Sequence, residues 1–238
     1  MAIALALVLA VASGALAGPV VVLTSTSDAF RPGDIRDSAE TVSLADGDEI
    51  LLNDADGMTR RLEGPYTGPL GAPETDPPGD PDLVRSLSRL VQAREVGHKR
   101  IGAIRNVETT GIVSVHAVSL AETGAHCLET GEAMDLLRPK KFARARVLQI
   151  REVETGAIAT LEELTTDAPN FWPSSLPPHE GRRYQAHFPE FQFDNEAVEI
   201  TFVRLDAQPN ASARAGAMEA AGCRRQALML LDQILANQ

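Results

Sequence analysis

Between residues 18 and 62, short apolar runs alternate with turn chemistry about every ten residues, a spacing that suits strands and leaves no room for long helices. Residues 20–24 are apolar and β-branched, and Arg31-Pro32-Gly33-Asp34 reads as a turn. Thr41-Val42-Ser43-Leu44 alternates, and Ala45-Asp46-Gly47-Asp48 turns the chain again. Glu49-Ile50-Leu51-Leu52 reads as a strand. Asp54-Ala55-Asp56-Gly57 reads as a hairpin turn whose glycine supplies a positive φ, with residues 58–62 as the returning partner. The spacing predicts a small β-domain.

The same punctuation returns over residues 101–206. Candidate strands are 112–118, 125–129, 133–137, 146–151, 157–161, 183–188 and 198–205. Val113, Val115 and Ala117 alternate with Ser114, His116 and Val118; Val198, Ile200 and Phe202 alternate with Glu199, Thr201 and Val203. Seven short runs in about 105 residues predict a β-sandwich-like unit. Residues 167–181 are polar and proline-rich, and Trp172, with Leu176 and Tyr184, is expected to pin this loop over the sandwich edge. Aromatic residues are only 4% of the chain, so the core should be aliphatic.

Two stretches break the strand pattern. In residues 80–97, Asp80 is a good N-cap and Pro81 fits N1. Leu83, Val84, Leu87, Leu90 and Val91 form one apolar stripe, and Gly97 marks a stop. This helix should dock on one of the β-units. In residues 211–236, Asn210 or Ser212 caps a helix whose buried face carries Ala220, Cys223, Ala227, Leu230, Leu231 and Ile234. Gly216 and Gly222 weaken that helix while allowing close approach to a sheet. Residues 66–79, rich in proline and glycine, read as a linker, with Tyr66 either packing back or binding something.

Residues 1–17 carry no charged side chain and end in Ala15-Leu16-Ala17, the pattern of a secretory signal peptide cleaved before Gly18. The n-region lacks lysine and arginine, and two rivals stay open: an uncleaved membrane anchor over residues 1–23, and a buried helix. Export places Cys127 and Cys223, the only cysteines, in an oxidising compartment, where a disulfide would staple a strand to the C-terminal helix; two buried free thiols are the alternative. Charge is 22 − 33 = −11, which disfavours nucleic acid and anionic membrane as partners. A membrane enters only if residues 1–17 stay attached.

Gly18-Pro19-Val20-Val21-Val22, then Pro32-Gly33-Asp34, then Gly47-Asp48-Glu49-Ile50-Leu51-Leu52, then Asp56-Gly57 followed by Leu62-Glu63-Gly64-Pro65 occur in an order that resembles the FecR-type β-domain of bacterial periplasmic proteins. The resemblance spans about 48 residues. It implies envelope signalling or surface interaction rather than catalysis. Sensor proteins of that family carry a cytoplasmic anti-sigma region and a membrane helix ahead of the domain; residues 1–17 hold neither, so sigma-factor regulation is not expected. The expected architecture is mainly β with flanking helices: signal peptide 1–17, FecR-like β-domain 18–65, linker 66–79, helix 80–97, and a β-sandwich-like domain with a C-terminal helix over 98–238.

No catalytic constellation stands out. His98, His116, His126, His179 and His187 lack metal-ligand spacing. His126 and Cys127, adjacent on a strand, point to opposite faces. Glu152/Glu154 and Glu162/Glu163 read as solvated carboxylates. Asp54, Asp56 and Gly57 resemble the start of a calcium loop, but Pro65 stands where its closing glutamate belongs. Arg138, Lys140, Lys141, Arg144 and Arg146 form a basic cluster, read as a solvated turn, with an acidic partner or lipid headgroup as the alternative. No metal or cofactor is expected. The leading reading is a non-enzymatic periplasmic or secreted interaction or signalling-accessory protein that meets a protein partner in the cell envelope, with Leu83, Leu87, Leu90, Trp172 and Tyr184 as candidate interaction residues. One alternative is an envelope hydrolase accessory or degenerate enzyme, with a cleft uniting Trp172 and Tyr184 with His179, Glu180 and His187. Another is a structural subunit of an envelope complex, with an apolar patch on the helix at 83–91.

Overall fold

A computed structural model describes residues 18–71, 79–99, 114–128, 134–165, 168–191 and 197–237. The signal or anchor at 1–17 lies outside the described residues, as do linker residues 72–78 and residues 112–113 of the expected strand.

The first unit holds β1 (Pro19–Ser25), β2 (Ile35–Asp37), β3 (Thr41–Leu44), β4 (Glu49–Asp54), β5 (Thr59–Glu63) and β6 (Tyr66–Pro69). An antiparallel sheet runs β2-β1-β4-β5, and β3 pairs with β6 in a separate ribbon. Side chains alternate along a strand, so Val20 and Val22 of β1 and Ile50 and Leu52 of β4 point to one face, with Phe30, Val42, Leu44, Leu62 and Leu70. Val21, Leu23 and Leu51 point the other way, into a cluster with the helices. Both faces are covered, which is why β1 and β4 read as unbroken apolar runs.

Tyr66–Pro69, expected as linker, is strand β6, and Leu70 beyond it is fully buried. An edge strand tolerates proline, so the glycine and proline there do not end the sheet. Tyr66 packs back on the core, its hydroxyl donating to the Pro69 carbonyl at 2.6 Å.

Helix α1 (Pro81–Lys99) begins as expected: Asp80 Oδ1 accepts from the Asp82 amide at 2.8 Å. It runs through Gly97, since an interior glycine costs a helix only about 1 kcal/mol. Its stripe packs on Val21, Leu23 and Leu51, and Ser88 Oγ donates to the Gly33 carbonyl at 2.6 Å.

The second unit has β7 (Val118–Ser119), β8 (Gly124–Leu128), β9 (Leu136–Leu137), β10 (Leu148–Glu152), β11 (Ile158–Leu161), β12 (Arg183–His187) and β13 (Val198–Arg204). Five of these form a sheet in the order β11-β10-β12-β13-β8, antiparallel except for β8 on β13, and β7 pairs with β9 in a parallel ribbon. Residues 114–117, expected as strand, form a turn closed by the Ala117 amide donating to the Ser114 carbonyl at 3.0 Å. One sheet face (Leu148, Ile150, Tyr184, Ala186, Ile200, Phe202) packs against Val118, Leu120, Leu136, Phe142, Trp172 and Leu176. The mainly β architecture with flanking helices is as expected.

The expected C-terminal helix is two: α2 (Ala211–Ala220) and α3 (Arg224–Ala236). Gly222 adopts φ +83°. The Cys223 amide donates to Met218 O at 2.8 Å and the Gly222 amide to Glu219 O at 3.1 Å, a left-handed glycine stop that satisfies the last carbonyls of α2. The three helices share one apolar cluster with Val21, Leu23 and Leu51 of the first sheet and with Ala125, Cys127 and Val203 of the second.

Candidate interaction groove and disulfide joint

Three chain segments converge at the β4–β5 hairpin tip. Asp54 Oδ1 accepts from the amides of Asp56 (3.1 Å) and Met58 (2.8 Å), which fixes the turn, and Gly57 takes φ +78°. Asn210 caps α2 by accepting from the Ala213 amide at 2.8 Å, and its Nδ2 donates to the Asp56 carbonyl at 3.0 Å. The Asp80 amide at the start of α1 donates to the Ala55 carbonyl at 3.0 Å. The expected cap at Asn210 or Ser212 is thus Asn210, and it ties α2 to the hairpin as well.

A groove of about 350 Å³ opens where these segments meet. Its floor is the small-residue stripe of α2, Ala213, Gly216, Ala217 and Ala220, and one wall is Leu83 and Ser86 of α1. Asp56, Asp80 and Asp82 also line it, and among the described residues no lysine or arginine does. Asp82 pairs with Arg85 at an exposed position, and Asp80 uses Oδ1 as the helix cap.

The second junction joins β8 to the elbow between α2 and α3. Cys127 and Cys223 are disulfide-bonded with Cα atoms 5.7 Å apart, and both are buried. Beside the bridge, buried Gln226 of α3 hydrogen-bonds both backbone polar groups of Cys127. His126 lies on the opposite face of β8, buried, its ring centroid 6.3 Å from that of Phe202. Burial, and secondarily the nearby Arg225 guanidinium, push its pKa down to about 4, so the ring is neutral near pH 7. Its Nδ1 has no hydrogen-bond partner among the described residues.

Of the candidate interaction residues, Leu87 and Leu90 are buried between sheet and helices and offer no face to a partner, while Leu83, 9% exposed, keeps only an edge at the groove. The expected apolar patch on the helix at 83–91 is therefore not a surface. Trp172 and Tyr184 are buried too, edge to face at 5.3 Å. Trp172 Nε1 donates to the Leu176 carbonyl at 2.7 Å, and Tyr184 Oη accepts from the His179 amide at 2.9 Å. These bonds pin the loop, as expected of Trp172, Leu176 and Tyr184. His179 and Glu180 are exposed, while His187 is an odd number of residues from Tyr184 on β12 and faces the other side of the sheet. The residues named for a catalytic cleft are not brought together.

Glu152, read as solvated, is buried: it accepts from Thr155 Oγ1 and lies 3.8 Å from Arg182. Arg138 of the basic cluster is a structural pin, donating to the carbonyls of Ala145 (2.6 Å) and Thr165 (2.9 Å), while Lys140, Lys141, Arg144 and Arg146 stand on the surface. Among the described residues no three His, Cys, Asp or Glu side chains are placed to hold a metal ion, and no helix is long and apolar enough to cross a membrane. The groove escaped the sequence reading, although Ala213, Ala217 and Ala220 at helical spacing were its visible trace.

A buried disulfide fits an oxidising, extracytoplasmic setting. Compared with protein-family models, the chain matches none. Compared with curated proteins, it has no significant match.

Proposed function

We propose that this is an exported, non-enzymatic interaction or signalling-accessory protein of the bacterial cell envelope, and that it holds a protein partner in the groove between the hairpin tip, α1 and α2. The carrying observation is the groove itself: about 350 Å³, at the lower end of the ligand-site range of about 300–1,000 Å³, and built by three separate segments of chain. The buried Cys127–Cys223 bridge and the signal-like residues 1–17 support the periplasmic or secreted setting. The FecR-type resemblance over residues 18–65 supports a role in signalling or surface interaction.

Site-specific photo-crosslinking in the native envelope tests the reading. A photoreactive residue at Ala217, in the groove, should give one discrete protein adduct that the same residue at Ile158, on the remote β11 edge, does not. Equal adducts at both positions, or none at Ala217, would overturn it. Intact mass with and without reductant tests the setting: loss of residues 1–17 and a gain of two hydrogens on reduction are expected, and a full-length chain with free thiols would refute export.

A further inference from the structure

We infer that the groove takes a cationic segment of its partner, one lysine or arginine beside a small aliphatic residue; this rests on the groove being the partner site. The argument is complementarity of two kinds. The floor of Ala213, Gly216, Ala217 and Ala220 with the Leu83 wall is apolar and without bulky side chains, so it accepts aliphatic carbon. The described lining of the groove also carries three carboxylates, Asp56, Asp80 and Asp82, and no cation. Two arginines stand beside the groove: Arg89 donates to Ser86 Oγ at 3.1 Å, and Arg85 pairs with Asp82 at an exposed position, a pair weak enough to exchange for an incoming ammonium or guanidinium group. A lysine or arginine side chain matches both features at once, with a hydrocarbon stem for the floor and a charged head for the rim. The net charge of −11 adds long-range attraction for the same partner and repels an acidic one.

The test uses the full mature chain, isotope-labelled for backbone amide NMR, and an acetylated, amidated hexapeptide Ala-Leu-Lys-Ala-Lys-Ala beside its counterpart with glutamate at both lysine positions. The lysine peptide should shift amides at 55–57, 80–86 and 213–220, and binding should weaken between about 50 mM and about 500 mM salt. The double variant Asp56→Asn, Asp82→Asn should weaken it about tenfold. Ala217→Leu should abolish it by filling the floor, and Ala220→Leu, at an exposed position on the same stripe, provides the block if Ala217→Leu does not fold. If the glutamate peptide shifts the same amides equally well, the cationic occupant is wrong while the groove stands. If the lysine peptide shifts acidic residues all over the surface and ignores Ala217→Leu, the attraction is non-specific and the inference falls. If Ala217→Leu also leaves the envelope adduct unchanged, with that adduct captured from a photoreactive residue at Ala213, the groove reading itself falls.

Discussion

The side-chain amide of Gln226 forms with Cys127 both hydrogen bonds that a neighbouring strand would offer: Oε1 accepts from the Cys127 amide at 2.6 Å, and Nε2 donates to the Cys127 carbonyl at 3.2 Å. Strand β8 is the last strand of its sheet, and the row of unpaired groups on such an edge is what invites another chain to add. Here one helix residue closes it at the point where the disulfide anchors the same helix.

Replacing Gln226 with leucine should therefore be expensive for an apolar substitution. It strands a buried N–H and a buried C=O together, at a cost of about 2–4 kcal/mol. Urea denaturation should show the loss as a lower midpoint at unchanged slope, and hydrogen exchange at the Cys127 amide should accelerate. An unchanged midpoint would mean that the edge is satisfied in some other way.

The bridge spans 96 residues of sequence. Closing a loop of that length lowers the entropy of the unfolded chain and is worth about 4–5 kcal/mol in the chain-entropy model. The Cys127→Ser, Cys223→Ser double variant should lose stability on this scale, and reductant should then leave its denaturation curve unmoved while shifting that of the parent. Equal stability of the two would show that the joint is held by Gln226 and the apolar cluster alone.

Acid should loosen the protein through His126. Its pKa is lowered from 6.5 to about 4 on folding, so between those values the unfolded chain binds more protons than the native one. The stabilisation is complete above about pH 6.5 and is lost as pH falls through about 4, amounting to about 3 kcal/mol. Denaturation midpoints from about pH 4 to pH 7 should rise more steeply in the parent than in His126→Phe, which has nothing to protonate there. Identical slopes would place the acid sensitivity on other groups.

Two glycines of the helical layer should fail for different reasons. A Cβ at Gly222 has open space, with Ala125 Cβ the nearest atom at 3.9 Å, so Gly222→Ala suffers only the left-handed backbone, about 1–2 kcal/mol. A Cβ at Gly216 would sit 2.5 Å from Leu83 Cδ1 and push that side chain off its rotamer, about 0.5–1.5 kcal/mol. Trimming Leu83 to alanine should ease the second substitution and leave the first unchanged, a coupling that a double-mutant cycle in urea measures directly.

Much of the β architecture is legible in the chain because it is local. Period-two alternation and turn residues placed strands close to β3, β4, β5, β10, β11, β12 and β13, and an apolar stripe with an Asp-Pro start marked α1. Two cysteines behind a signal-like segment were enough to expect the Cys127–Cys223 bridge. Local rules also misled where tertiary contacts override them: glycine and proline at 66–69 read as linker because their pairing with β3 is invisible in one dimension, and the alternation at 114–117 suggested a strand with no neighbour to pair with it.

Only the tertiary structure decided the rest. The apolar stripe at 83–91 cannot say whether it meets a partner or its own sheet; packing on Val21, Leu23 and Leu51 settles that it is core. Gly222 reads as a weak helix position until the chain bends there to bring Cys223 and Gln226 onto Cys127. The groove joins Asp56, Asp80 and Ala217, residues scattered across more than half the sequence, and its volume is the space left when three segments dock. Torsional preferences and side-chain period act over a few residues and are written in the sequence. Shape, burial and charge at a site are sums over distant neighbours, and they exist only once the chain has folded.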